Sequence, residues 1–120
     1  MSATQVIAHR GASKAENENT VAAFRRAVAM GSHAAELDVR RTLDGVLVVH
    51  HNPTLDDGRV ISESNFADLP EHVCTLDEAL DACRPMWVNV EIKNDPSEPD
   101  FDPTESIADD TIACLADRSE

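Results

Sequence analysis

Seven side chains in this sequence are of types, and at spacings, that could do chemistry together. Glu36 and Asp38 sit two residues apart in a stretch, Ala34 to Arg40, where charged and branched apolar residues alternate. In an extended strand that spacing puts both carboxylates on one face. Glu91 holds the matching level of a second alternating stretch, Trp87 to Lys93. Three carboxylates converging on one point repel each other and hold their protons more tightly unless a cation sits among them. An all-oxygen donor set suits one divalent cation, Ca²⁺ or Mg²⁺, better than Zn²⁺. Left apart, the three are ordinary surface acids of an acidic chain.

His9 closes the apolar run Gln5-Val6-Ile7-Ala8, and His50-His51 closes the run Val46 to Val49. An imidazole exchanges its proton near neutral pH, so two of them suit an acid and a base. If Arg41 pairs with Val46 across the turn between them, His51 lies opposite Glu36. A slip of one residue turns His50 inward instead, and spacing leaves both open. Arg10 and Lys93 each follow a strand, with Lys93 on the face of Glu91. A guanidinium and an ammonium beside a divalent cation make a seat for a phosphoryl group, although either also suits a surface salt bridge. His33 and His72 have no such setting and read as surface residues.

The elements that must position these groups alternate along the chain. A strand ends at His9, and a polar loop runs from Ala12 to Asn19. A helix is predicted from Thr20 to Met30, with Asn19 as N-cap, Gly31 just past its end, and Val21, Phe24 and Val28 on one face. Thr42-Leu43-Asp44-Gly45 is a turn between the strand Ala34–Arg40 and the apolar run that follows. Leu55 to Leu69 gives little signal beyond one helical turn after Ser64. Thr75-Leu76-Asp77-Glu78 is a capping box, followed by Leu76, Ala79, Leu80 and Cys83 at helical spacing. Asn94 to Asp100 is an acidic loop, and Asp102-Pro103-Thr104-Glu105 opens a last helix running to about Arg118.

Strands alternating with helices imply parallel β-α-β units. Strands charged on one face fit the mouth of a barrel better than a doubly wound sheet apolar on both faces. The 120 residues fit part or all of one domain, and their globular composition includes 42% hydrophobic residues. No apolar run approaches the ~18 residues of a membrane span, and Met1 to Gln5 lacks a secretory pattern, so the chain reads as soluble and cytoplasmic. Cys74, Cys83 and Cys114 have neither disulfide nor zinc-knuckle spacing and read as small core residues. Residues 1–60 carry seven acidic and seven basic residues, and residues 61–120 carry sixteen acidic and three basic, so the whole net charge of −13 lies in the second half. That field repels nucleic acid and anionic membranes, and leaves an acidic partner-binding module as a minor alternative.

Together these stretches resemble the glycerophosphodiester phosphodiesterase family. The resemblance rests on His9-Arg10-Gly11, Glu18-Asn19-Thr20, Glu36-Leu37-Asp38-Val39, Thr42-Leu43-Asp44-Gly45, Val48-Val49-His50-His51-Asn52 and Val90-Glu91-Ile92-Lys93, in order from about Val6 to Lys93. Phosphatidylinositol-type phospholipases C share the layout and are the nearest competitor. The resemblance implies an α/β fold, here the N-terminal portion of a (β/α)₈ TIM-type barrel, with about three βα units plus a hairpin. It also implies hydrolysis of small-molecule glycerophosphodiesters to glycerol 3-phosphate and an alcohol. By motif position it makes Glu36, Asp38 and Glu91 the ligands of one divalent cation, His9 and His51 (over His50) the acid–base pair, and Arg10 and Lys93 the phosphate grips. The family usually carries Asp where this chain has Asn52. A full barrel needs roughly 200–250 residues, so residues 1–120 are expected to form an incomplete barrel domain. The alternative is an inactive half-barrel that self-associates to cover its open strands.

Overall fold

Ala34–Arg41 (β2) is the strand around which the rest assembles. The computed structural model describes residues 5–118, so the leader reading at Met1–Thr4 lies outside the described residues. One edge of β2 takes Ile7–His9 (β1) in parallel, Ile7 opposite Ala34 and His9 opposite Glu36. The other edge takes Trp87–Ile92 (β4) in parallel, Glu36 opposite Asn89 and Asp38 opposite Glu91. Further along the β1 edge, Leu47–Val49 (β3) returns antiparallel, Arg41 opposite Leu47.

Alternation along β2 separates two environments. Leu37 and Val39 face Val21–Ala29 (α1) and Leu76–Cys83 (α2), and build a core with Phe24, Leu76, Ala79, Leu80 and Cys83. Phe24 is fully buried there, a contribution of roughly 1.5–3 kcal/mol from transfer alone. Glu36, Asp38 and Arg40 take the opposite, inner face, together with Ile7 and His9 of β1 and Trp87, Asn89 and Glu91 of β4. This face is polar towards the strand C-termini and apolar below. Ile7 and Trp87 there stay about half exposed, at 51% and 49%. A second small core, Val48, Leu55, Ile61 and Val73, sits under the excursion between β3 and α2.

Several local expectations are corrected. Thr20, not Asn19, caps α1, its hydroxyl accepting from the Ala23 amide, because Asn19 takes a left-handed φ of 55°. The buried stripe of α1 is Ala23, Phe24 and Ala27, a step round from Val21, Phe24 and Val28. The alanines let the helix approach the Gly11 turn, where a Cβ on Gly11 would meet Ala23 atoms at 2.8 Å. The excursion holds two short 3₁₀ turns, Ile61–Glu63 and Phe66–Asp68, where one was expected. The last helix starts later, at Ser106–Arg118 (α3), since Glu105 has a φ of 59°. Asp102 and Pro103 therefore lie outside the helix, and Asp102 reaches its first turn from there, accepting from the Ile107 amide at 3.2 Å. Cys74 and Cys83 are buried as expected, and Cys114 is only half-buried on α3.

Candidate active site

The strand register brings the three carboxylates together. Glu36 and Asp38 are successive inner residues of β2, and Glu91 is level with Asp38 on β4. One ligand oxygen from each lies within 4.8 Å of the others. Glu36 Oε1 and Oε2, Asp38 Oδ1 and the neighbouring Asn19 Oδ1 are buried without a hydrogen-bond partner. Buried carboxylate oxygens are costly to leave unbonded, so this donor set fits a hard divalent cation.

Electrostatics at the cluster separate the two β2 carboxyls. Burial, with Asp38 and Glu91 close by, raises Glu36 to about 8. Burial also acts to raise Asp38, but the Asn19 amide, the proximity of the Glu36 and Glu91 carboxyls, and the Lys93 ammonium outweigh it and hold Asp38 below its ordinary value. Asn19 Nδ2 donates to Asp38 Oδ2 at 3.0 Å. Lys93 Nζ lies 3.0 Å from Glu91 Oε1 and 3.9 Å from Asp38 Oδ1.

Arg10 enters from the turn after β1. Its backbone takes a φ of 58°, its amide donates to Glu36 O at 2.8 Å, and Gly11 behind it makes room for α1. The guanidinium then lies 3.4 Å from Asp38 Oδ2 and 3.2 Å from Glu18 Oε2. His9 Nε2 sits 3.4 Å from Glu36 Oε2 with its ring 66% exposed. An open cavity of about 560 Å³ adjoins, lined by Arg10, Glu18, Asn19, His50, His51 and His72 among others. Arg10 and Asn19 also touch Asp38, which joins the cavity to the carboxylates.

The sequence matches the glycerophosphoryl diester phosphodiesterase family over residues 9–120. The chain belongs to that family. It is 58% identical over 53 residues to the glycerophosphodiester phosphodiesterase of Caldanaerobacter subterraneus, covering 44% of this chain and 22% of that protein. It is 37% identical over 75 residues to the rat lysophospholipase D GDPD1, covering 59% and 24%. The crystal structure of the Thermotoga maritima glycerophosphodiester phosphodiesterase superposes with a TM-score of 0.79 at 26% identity, over 98% of this chain and 52% of that one. An Oleispira antarctica phosphodiesterase solved with sn-glycerol-3-phosphate gives 0.77 at 28%, over 95% and 51%. The chain thus spans about half the length of these solved relatives. Its fold is part of their TIM-type barrel, with β1, β2 and β4 as three parallel barrel strands and β3 as a hairpin strand above β1.

Six of the seven expected residues lie together: His9, Arg10, Glu36, Asp38, Glu91 and Lys93. The seventh, His51, does not face Glu36 across the hairpin. Thr42, not Arg41, closes the turn with Val46, its amide donating to Val46 O at 2.9 Å. The three-residue loop left behind ends in left-handed Gly45, a common hairpin solution. The register therefore moves by one, the His50 amide donates to Asp38 O at 2.9 Å, and both histidines reach the cavity. His51 Nδ1 pairs with Asn52 Oδ1 at 2.8 Å. His33 and His72 are exposed as expected, although His33 Nδ1 also accepts from the Val6 amide. Asn19 was missed as a site residue. Its one signal is the Glu18-Asn19-Thr20 stretch of the resemblance; an asparagine tolerates left-handed backbone, and its bond to Asp38 forms only once β2 is in place.

Proposed function

We propose that this site hydrolyses glycerophosphodiesters to glycerol 3-phosphate and an alcohol, with one divalent cation, Ca²⁺ or Mg²⁺, held by Glu36, Asp38 and Glu91. The observation that carries the reading is the group of three converging carboxylates with unbonded buried oxygens. When bound, the cation supplies Lewis-acid stabilisation of charge on the phosphoryl oxygens. Arg10 and Lys93 flank the carboxylates and orient the phosphate by charge-assisted hydrogen bonds. Donation from His51 Nδ1 to Asn52 Oδ1 leaves Nε2 with the lone pair, which suits His51 to take the proton of the attacking oxygen. His9, next to Glu36, then protonates the departing alkoxide. Asn52 orients the His51 ring through this bond, where a carboxylate would also add a charge.

Glycerophosphocholine turnover with added Mg²⁺ or Ca²⁺ is the direct test. His9→Ala and His51→Ala should each remove turnover while keeping cation binding, and Glu36→Ala or Glu91→Ala should remove both. Cation binding that survives both acid replacements overturns the reading. Residues 1–120 then form part of one barrel domain. The half-exposed Ile7 and Trp87 on the inner face favour a second reading, in which another copy of the chain covers that face. It predicts a dimer by sedimentation with no turnover, and a monomer that turns over removes it. Among the described residues no helix is long and apolar enough to cross a membrane.

A further inference from the structure

Arg40 is the last inner residue of β2, beyond the carboxylates, and it is 1% exposed. A buried guanidinium is unfavourable unless its donors are matched, and each partner of this one lies on a loop at the rim of the site. Nε and one terminal nitrogen both donate to the His51 carbonyl oxygen, at 3.1 and 2.5 Å. The same terminal nitrogen reaches Glu98 Oε2 at 3.2 Å. The other terminal nitrogen donates to Asp100 Oδ2 at 2.8 Å. Asp100 is itself nearly buried, its side chain 5% exposed. Glu98 and Asp100 come from the acidic loop after β4, a segment with no evident task in the sequence. One planar fork thus ties the loop after β3 to the loop after β4.

We propose that Arg40 is a positioning residue for His51. The His51 ring bonds a side chain on its own exposed loop, so what fixes it relative to the carboxylates is its backbone. That backbone is anchored to β2 through Arg40, and Glu98 and Asp100 hold the guanidinium in the orientation that meets the His51 carbonyl. Lysine cannot substitute, because an ammonium lacks the flat array of donors that serves one carbonyl and two carboxylates at once. The inference rests on the assignment of His51 to proton transfer, and its test separates the two.

Histidine ring resonances of ¹³C,¹⁵N-labelled protein are followed in wild type, Arg40→Gln, Arg40→Lys and the Glu98→Gln/Asp100→Asn pair, alongside glycerophosphocholine kinetics. In all three variants the His51 signals should move and broaden while those of His9 stay in place. Turnover should fall about 10–100-fold in kcat with KM held within about threefold, since displacement of a reacting group acts on the chemical step. Unchanged His51 signals in folded Arg40→Gln overturn the proposal, as does an equal movement of His9, which marks general loss of structure. If Arg40→Gln does not fold, the Glu98/Asp100 pair decides by the same signals. A wild-type chain that binds the cation and turns nothing over removes the catalytic assignment of His51 alone; the resonances still decide whether Arg40 holds it.

Discussion

Glu36 makes cation binding depend on pH in a way that can be worked out beforehand. Its carboxyl is raised to about 8 by burial and by Asp38 and Glu91, and a ligating carboxylate must give up its proton. About half of Glu36 is ionised at pH 8, about a tenth at 7 and about a hundredth at 6, so apparent affinity should drop about fivefold from pH 8 to 7 and about tenfold from 7 to 6. Above about pH 9 it should level off. Calorimetry in buffers of different ionisation enthalpy should show close to one proton released per cation at pH 7. Glu36→Gln should bind more weakly, with that proton release gone. The sign reverses for stability of the cation-free chain. Between about 4.5 and 8 the folded state keeps a proton that the unfolded state has lost, so stability falls as pH rises through this window. Melting in EDTA should show that fall, and Glu36→Gln should flatten it. Affinity constant from pH 6 to 9, without proton release, would refute the placement of Glu36 in a crowded, buried cluster.

Gly11→Ala should destabilise by more than about 1 kcal/mol, because the position needs a positive φ and its Cβ meets Ala23; denaturant titration measures it. Thr75→Ala removes the hydroxyl that accepts the Glu78 amide at 3.1 Å and should cost about 1 kcal/mol in the same titration. Burial pushes the thiols of Cys74 and Cys83 up to about 12 and, with Asp77, raises Cys114 as well, but only Cys114 is partly accessible, so at pH 8 a disulfide reagent should modify that one thiol slowly at native conditions and three after unfolding.

What could be read from the sequence was local. The capping box of α2 has all its determinants within Thr75–Glu78, and it forms as expected with both reciprocal bonds. The faces of β2 follow from alternation alone, which is why Glu36, Asp38 and Glu91 could be grouped before any coordinates. The hairpin register could not be fixed that way. It turned on whether Thr42 or Arg41 closes the loop, and the Thr42 hydroxyl, which accepts the Val46 amide at 3.0 Å, settles it within the turn. Asn19 looked like a cap because its side chain suits one, and only the folded β2 offers it Asp38 instead. Arg40 was out of reach altogether, since its carboxylate partners lie 58 and 60 residues further along the chain.

Trp87 is the sole tryptophan of the chain, half-exposed on the inner face of β4 beside Ala34. An indole so placed makes the molecule its own fluorescent gauge. Emission shifts to the blue when anything, whether the remaining strands of a closed barrel or a second copy, shuts water out of that face, and stays red while the face is wet.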